Sequence, residues 1–295
     1  MALIPPHYLN SVVSIEVERK NDKGELEKVS IATGFLVGKK TGKANEKGSP
    51  LFKVFLVTNR HVFYNEKTKI FLKEVHFRFN TTENTSQYFK TGLLKIDGTP
   101  LWLQHENKKV DLAVLPINLK VIKDAKVEYH FFNTTDLFFA KDFKEKKIST
   151  GDGLFVLGFP MNISGKSKNF VIVRQGIIAR VDEEVLEDCF YYIDASAYPG
   201  NSGGPVIHKP EVVAIGETGS NSSAGLVGVV SAGVTYSDVA VSQQTGEAKI
   251  IFTEQTGLVK VVPIELIYEI IDKFMTPKTL PEEAKVENAG KEKAA

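Results

Sequence analysis

The chain has 295 residues, with 37 Lys or Arg against 36 Asp or Glu and a formal net charge of +1. That balance gives no electrostatic ground for binding nucleic acid or an anionic membrane, and 42% hydrophobic with 25% charged residues excludes a disordered or fibrous chain. Cys189 is the sole cysteine, which rules out an internal disulfide and favours a reducing, cytoplasmic setting.

The first residues, Met1 to Pro6, carry neither a basic region nor a long apolar stretch, so no targeting segment is expected. Val13, Ile15 and Val17 then alternate with Ser14, Glu16 and Glu18, the period of a half-buried strand. Strands are predicted over 29–37 and 52–59, with the Lys- and Gly-rich run from Gly38 to Pro50 as a solvated hairpin between them. The second of these strands leads into Thr58-Asn59-Arg60-His61, which sets His61 at a strand end. Further strands are expected at 75–79, 87–96 and 111–115. Asp111 opens the last, and a carboxylate at the mouth of an apolar strand is costly to bury without a partner. An imidazole N–H is a natural one.

Residues 118–150 read as an irregular connector in which Phe131, Phe132, Phe138 and Phe139 pack against a barrel. Strands resume at 153–158, 170–180, 189–195, 204–207, 211–216, 226–234 and 249–262. In this region Cys189 reads as a buried strand cysteine and Asp194 as a buried structural carboxylate. Pro263 fits the first turn of a helix over 263–275, with Ile264, Ile267, Ile271 and Phe274 on one face. After Pro277 the chain is rich in Glu, Lys and Ala, and 277–295 is expected to be a disordered tail. Many short strands separated by turn residues indicate a sandwich or barrel, and closure into a barrel removes exposed edges. The predicted fold is all-β: two six-stranded antiparallel barrels, over 1–130 and 131–276, the second ending in the helix.

Residues 199–205 read Pro-Gly-Asn-Ser-Gly-Gly-Pro. Glycines let the backbone take torsions closed to other residues and leave room for a substrate carbonyl. Ser202 can then present its hydroxyl while the Gly200 and Ser202 amides aim at one small pocket, an arrangement that stabilises the oxyanion formed when a carbonyl is attacked. Alone, this pattern also fits a glycine-rich surface turn. With His61 and Asp111 it supplies base, orienter and nucleophile in the chain order His, Asp, Ser. The remaining histidines, at 7, 76, 105, 130 and 208, show no metal-ligand spacing, and no metal or cofactor is expected.

Three blocks, Thr33–Val37 with Leu56–Val62, Asp111–Leu115 and Asp194–Pro205, resemble those of trypsin-like (chymotrypsin-fold) serine peptidases. Gly228–Gly233 is similar to the strand that binds substrate backbone in that family, and Gly257–Pro263 to its last barrel strand. The likeness is closest to the disulfide-free bacterial branch that includes HtrA-type proteases, although 277–295 is too short for the peptide-binding PDZ domain found in many of them. The resemblance implies a serine endopeptidase acting on protein or peptide substrates through His61, Asp111, Ser202 and an acyl-enzyme. Two alternatives share these residues: a catalytically silent fold that binds peptides or proteins, and an esterase.

By the same resemblance, Ser231 either hydrogen-bonds the Asp111 carboxylate or is an ordinary strand serine. Ser196 stands where trypsins carry the aspartate that binds Lys or Arg, while Gly233 and Gly257 keep the side-chain pocket open. Such a neutral pocket favours a small or medium apolar residue before the cut. Asn201 replaces the aspartate that pairs with a newly cut N-terminus in digestive enzymes, so activation by clipping is not implied. Control is expected to come from a separate regulatory protein or a neighbouring chain.

Overall fold

A computed structural model describes residues 4–211 and 219–276. After a short helix, α1 (Pro6–Leu9), come strands β1 (Val12–Lys20), β2 (Leu26–Ala44) and β3 (Pro50–Thr58). Asn45 forms the β2–β3 turn by accepting the Lys47 and Ser49 amides on its side chain at 3.0 and 2.9 Å. Then follow α2 (Arg60–Phe63), the small pair β4 (Tyr64–Asn65) and β5 (Ile70–Phe71), β6 (Glu74–Asn80), β7 (Ser86–Gly92) and β8 (Ala113–Ile117). The antiparallel order is β7-β6-β1-β2-β3-β8. This six-stranded sheet curls around Val13, Ile15, Leu36, Leu56, Phe77 and Trp102, but its outer strands β7 and β8 do not pair, so the expected first barrel is open.

The second unit closes. It contains β9 (Gly153–Gly158), β10 (Ile172–Arg180), β11 (Tyr191–Asp194), β12 (Pro205–His208), β13 (Gly225–Val241) and β14 (Ala248–Pro263), ordered β10-β11-β14-β13-β12-β9 around the barrel. Between the units lies α3 (Leu119–Asp124), inside the predicted connector, and α4 (Glu183–Leu186) caps the β10–β11 link. Leu154, Val156, Ile178, Tyr191, Val206 and Val259 fill the barrel. A third core, which includes Phe35, Phe55, Leu112, Phe132, Leu157 and Val229, joins the units. The terminal helix α5 (Glu265–Met275) seals it with Ile267 and Ile271, both 0% exposed. Fully burying side chains of this kind stabilises by about 1.5–3 kcal/mol each, so the seam between the units is apolar core and not a hinge.

Three further expectations, each about a single residue, fail here. Cys189 is not in a strand: it follows α4 at φ 65°, partly exposed, ahead of β11. Asp194 is exposed at the end of β11. Phe274, placed on the helix's buried face, is 41% exposed, with its edge against Phe55 and the Lys53 ammonium over its ring. Most of the strand expected at 211–216, and the tail at 277–295, lie outside the described residues. Among the described residues no helix is long and apolar enough to cross a membrane.

One buried polar network also crosses the seam. Arg78 on β6 and Glu16 on β1 are each 2% exposed and stand 3.7 Å apart. The guanidinium donates to the carbonyls of Gly165 at 2.9 Å and Lys166 at 3.0 Å and to Ser86 Oγ at 2.9 Å. Asn169 adds a bond to the Arg78 carbonyl, and Asn80 accepts the Asn169 amide at 2.7 Å. The first sheet thus holds the β9–β10 loop of the second unit by its backbone. Removing one partner of a buried ion pair leaves an uncompensated charge and costs about 3–5 kcal/mol. Arg78→Ala is therefore expected to lose about that much in urea unfolding, and Arg78→Lys, which lacks the planar fork, to recover only part of it. Unchanged stability in Arg78→Ala would show that the network contributes nothing.

Candidate active site

His61 sits in the first turn of α2, where β3 ends. Its backbone N–H donates to Asp111 Oδ1 at 3.0 Å, and its ring Nδ1 lies 2.7 Å from Asp111 Oδ2. One carboxylate therefore holds both the main chain and the ring. Asn59 fixes the other end of the aspartate by donating to its carbonyl at 2.9 Å. Ser231, from β13, donates its hydroxyl to Asp111 Oδ2 at 2.8 Å. Burial pushes the Asp111 carboxyl up, but the hydrogen bonds and charge of His61, together with the Ser231 hydroxyl, outweigh it and hold the group below the usual carboxylate range. An ionised Asp111 accepting from Nδ1 leaves Nε2 of a neutral ring free to accept a proton.

Ser202 and His61 line one cleft of about 460 Å³, together with Gly200, Ser231, Gly233 and Gln255. The Ser202 hydroxyl donates to the Ser231 carbonyl at 3.3 Å and makes no hydrogen bond to His61. Ser231 thus touches two of the candidate residues, its hydroxyl on Asp111 and its carbonyl on Ser202.

The turn carrying Ser202 is held from outside itself. Gly200 has φ 101°, and a Cβ there would lie 2.2 Å from the Phe159 carbonyl. Gly203 has φ 80°, and a Cβ there would lie 2.2 Å from both the Thr33 carbonyl and the Thr58 hydroxyl. The Pro199 carbonyl accepts the Met161 amide at 2.7 Å, and the Asn201 carbonyl accepts the Gly204 amide at 2.9 Å. In a trans peptide the N–H points opposite the C=O, so the Gly200 and Ser202 amides face away from these partners. Among the described residues neither amide donates to any protein group.

Thr33, on β2 of the first unit, bonds this turn three ways. Its amide donates to the Ser202 carbonyl at 2.9 Å, and its hydroxyl donates to the Gly200 carbonyl at 2.7 Å while accepting the Phe159 amide at 3.1 Å. Thr58 in turn donates to the Thr33 carbonyl at 2.8 Å. The neighbouring turn has Met161 and Asn162 at φ 53° and 60°, and the Asn162 side chain ties it to the Ser30 amide at 2.7 Å. Asn201 is 1% exposed, and its side-chain oxygen accepts the Tyr198 amide at 3.0 Å. An aspartate there would have to bury a charge, so its amide tightens the turn without needing a counter-ion.

The pocket expected from the sequence is only partly assembled. Gly233 lines the cleft, and Gln255 lies across it, its Oε1 2.4 Å from where a Gly233 Cβ would sit. Ser196 is exposed and does not line the cleft, and Gly257 sits beside Asp194 instead. Ala197 and Tyr198 line the cleft in place of Ser196. Thr33 opens one of the blocks that carry the family resemblance, but nothing in that block assigned it a role, and Gln255 lies in no motif. Beyond that block, the signal for Thr33 is a polar residue within an otherwise apolar run, Ala32 to Val37, which is buried. Among the described residues, no group of three or more His, Cys, Asp or Glu is placed to hold a metal ion.

A family model described as the trypsin-like peptidase domain matches residues 32–216, a span that contains His61, Asp111 and Ser202. No curated protein sequence matches the chain. Among solved structures, the chain is similar to the apo MamO protease domain from Magnetospirillum magneticum, at 16% identity and a TM-score of 0.46, over 90% of this chain and 97% of that one.

The Thr33 hydroxyl can be removed without removing the residue's shape. Thr33→Val leaves a buried carbonyl and a buried amide unpaired beside Ser202, and misplacing a reacting group by about 1 Å costs on the order of 10²-fold in rate. Acylation of Ser202 by an activated ester is expected to slow by about 10–100-fold at unchanged KM, with Thr33→Ser restoring it. An unchanged acylation rate would confine Thr33 to packing.

Proposed function

Because the chain belongs to the trypsin-like peptidase family, we propose that it is a serine endopeptidase. The observation that carries this reading is the Asp111 carboxylate, clamped on the His61 ring and backbone and shared with Ser231, in a cleft that also holds Ser202. Rotation of the Ser202 hydroxyl from the Ser231 carbonyl toward His61 Nε2 engages the base. His61 takes the proton as oxygen attacks the scissile carbonyl and returns it to the leaving amine. Asp111 holds the ring in its Nδ1–H form and stabilises the imidazolium. The Gly200 and Ser202 amides receive the oxyanion, and water then releases the acyl group from Ser202.

One observation favours the silent-fold alternative: the nucleophile's hydrogen bond goes to Ser231 and not to the base. Hydrogen bonds at such sites commonly tighten only when substrate is present, so labelling decides the matter. A fluorophosphonate probe is expected to mark the native chain and not Ser202→Ala. A folded native chain that stays unlabelled, with or without an added unfolded protein, is a binding module.

Among the described residues, those lining the cleft include no Asp, Glu, Lys or Arg. A Lys or Arg side chain before the cut would therefore lack a counter-charge. Reporter peptides ending in Ala or Leu are expected to be cleaved faster than the Lys version, and a strong Lys preference would overturn the neutral-pocket reading.

A further inference from the structure

The first sheet stays open between β7 and β8, and a hollow of about 460 Å³ lies in the gap. Phe77 and Phe79 on β6, Phe89 on β7, Leu115 on β8 and Ile122 on α3 form its walls. Phe77, Phe79, Leu115 and Ile122 are no more than 7% exposed although they line it, so the space is narrow where it is deep. Leu101 and Val121, which also line it, are 44% and 49% exposed and mark its mouth.

The polar groups along these walls are already engaged. Among the described residues Lys90 is the one charged residue of the lining, and its ammonium is held by Glu74 at 2.8 Å. The Thr91 hydroxyl donates to the Phe89 carbonyl at 3.3 Å, and the Asn118 side-chain oxygen accepts the Lys120 amide at 3.0 Å. Nor does β8 offer its outer edge to a guest strand. Val114 exchanges both of its backbone bonds with Leu103 there, and Pro116, which points the same way two residues on, has no N–H to give.

At Ile117 and Asn118 the hollow adjoins a second one, of about 480 Å³. Lys43, Lys53 and Lys120 line it, and among the described residues no Asp or Glu does. The Lys53 ammonium lies 4.4 Å from the centre of the Phe274 ring. Lys120 meets Asp124 at 2.9 Å in an exposed pair, a kind of contact that contributes little and exchanges readily for another carboxylate.

We propose that the gap between β7 and β8 binds a free long-chain carboxylate, its aliphatic chain in the apolar hollow and its carboxylate on the lysines beyond Asn118. Three features select this occupant. Walls that water scarcely reaches admit no helix, which is about 10 Å across. The Pro116 edge refuses a strand. A polar ligand finds the groups of Lys90, Thr91 and Asn118 already bonded, whereas apolar cavities stay dry and take apolar guests. A slender alkyl chain satisfies all three, and the unbalanced positive charge next to Asn118 sets the sign of its head group. The hollow's volume lies within the range of roughly 300–1,000 Å³ usual for small-molecule sites. The site belongs to the first unit and does not depend on the peptidase reading.

Dodecanoate titrated into the full chain by calorimetry is expected to bind one to one, about fourfold more weakly for each methylene removed from it. Dodecyltrimethylammonium is expected to bind about tenfold more weakly than dodecanoate, and Lys53→Glu combined with Lys120→Glu to weaken dodecanoate about tenfold while leaving dodecanol unchanged. A dodecanoate with a diazirine at its methyl end is expected to crosslink to peptides spanning Phe77–Phe89 or Leu115–Ile122. Thr91→Phe is expected to crowd the hollow and lower the affinity about tenfold or more, with circular dichroism unchanged. If that variant does not fold, the crosslink and the charge reversal decide. No saturable binding, equal affinity for the ammonium and the carboxylate, or crosslinking elsewhere would overturn the proposal. So would binding to phosphatidylglycerol vesicles without binding of monomeric dodecanoate, which would assign the lysines to a membrane surface.

Discussion

The Asp111 carboxylate is the joint on which the site turns. It receives the His61 amide and ring from the first unit and the Ser231 hydroxyl from the second. A half-buried carboxylate is unfavourable without such partners, so its burial and the docking of the two units require one another. The apolar seam built from Phe35, Phe55, Leu157, Val229 and α5 supplies the driving force for docking, but it has little directional preference. The hydrogen bonds to Asp111 supply the direction. Each is only a modest stabiliser, yet together they set which face of the imidazole meets the cleft.

A second set of polar contacts sets the direction of backbone groups. Thr33 reaches across the seam to the carbonyls on both sides of Asn201, and Arg78 and Asn162 tether the loop whose Met161 amide holds Pro199. These contacts orient peptide planes, and with them the two amides left without protein partners. The turn at Ser202 is therefore ordered by contacts already present within the chain. A buried Asn201 in place of an acid fits this, because no charged terminus has to be captured.

The cleft and the strand pair beyond it differ in chemistry. Among the described residues no Asp, Glu, Lys or Arg lines the cleft, whereas the part of β13 and β14 that runs past the barrel carries exposed apolar side chains such as Tyr236, Ile250 and Phe252. They share β13. A single strand that is barrel wall at Val229, cleft wall at Ser231 and free edge at Tyr236 links a local chemical site to a surface many residues long.

Much of this was legible in residue order. Period-two alternation marked the strands around Val13–Val17 and Val75–Phe79, because a half-buried strand must alternate, and most of the others were read as short runs between turn residues. The glycines flanking Ser202, the histidine after Val57-Thr58-Asn59 and the aspartate before Leu112 marked the three side chains of the candidate site, because acyl-transfer chemistry needs those residue types. Tertiary structure alone decided the rest. Whether the first sheet closes depends on how its end strands β7 and β8 meet, and no local pattern encodes that. The failure of Ser196 and Gly257 to line the cleft reflects the path of a loop, and the roles of Thr33 and Gln255 arise from contacts between residues far apart in the chain. Side-chain chemistry and periodicity are properties of neighbours in sequence, whereas the aim of a peptide N–H or an uncovered strand edge exists only once distant segments have packed.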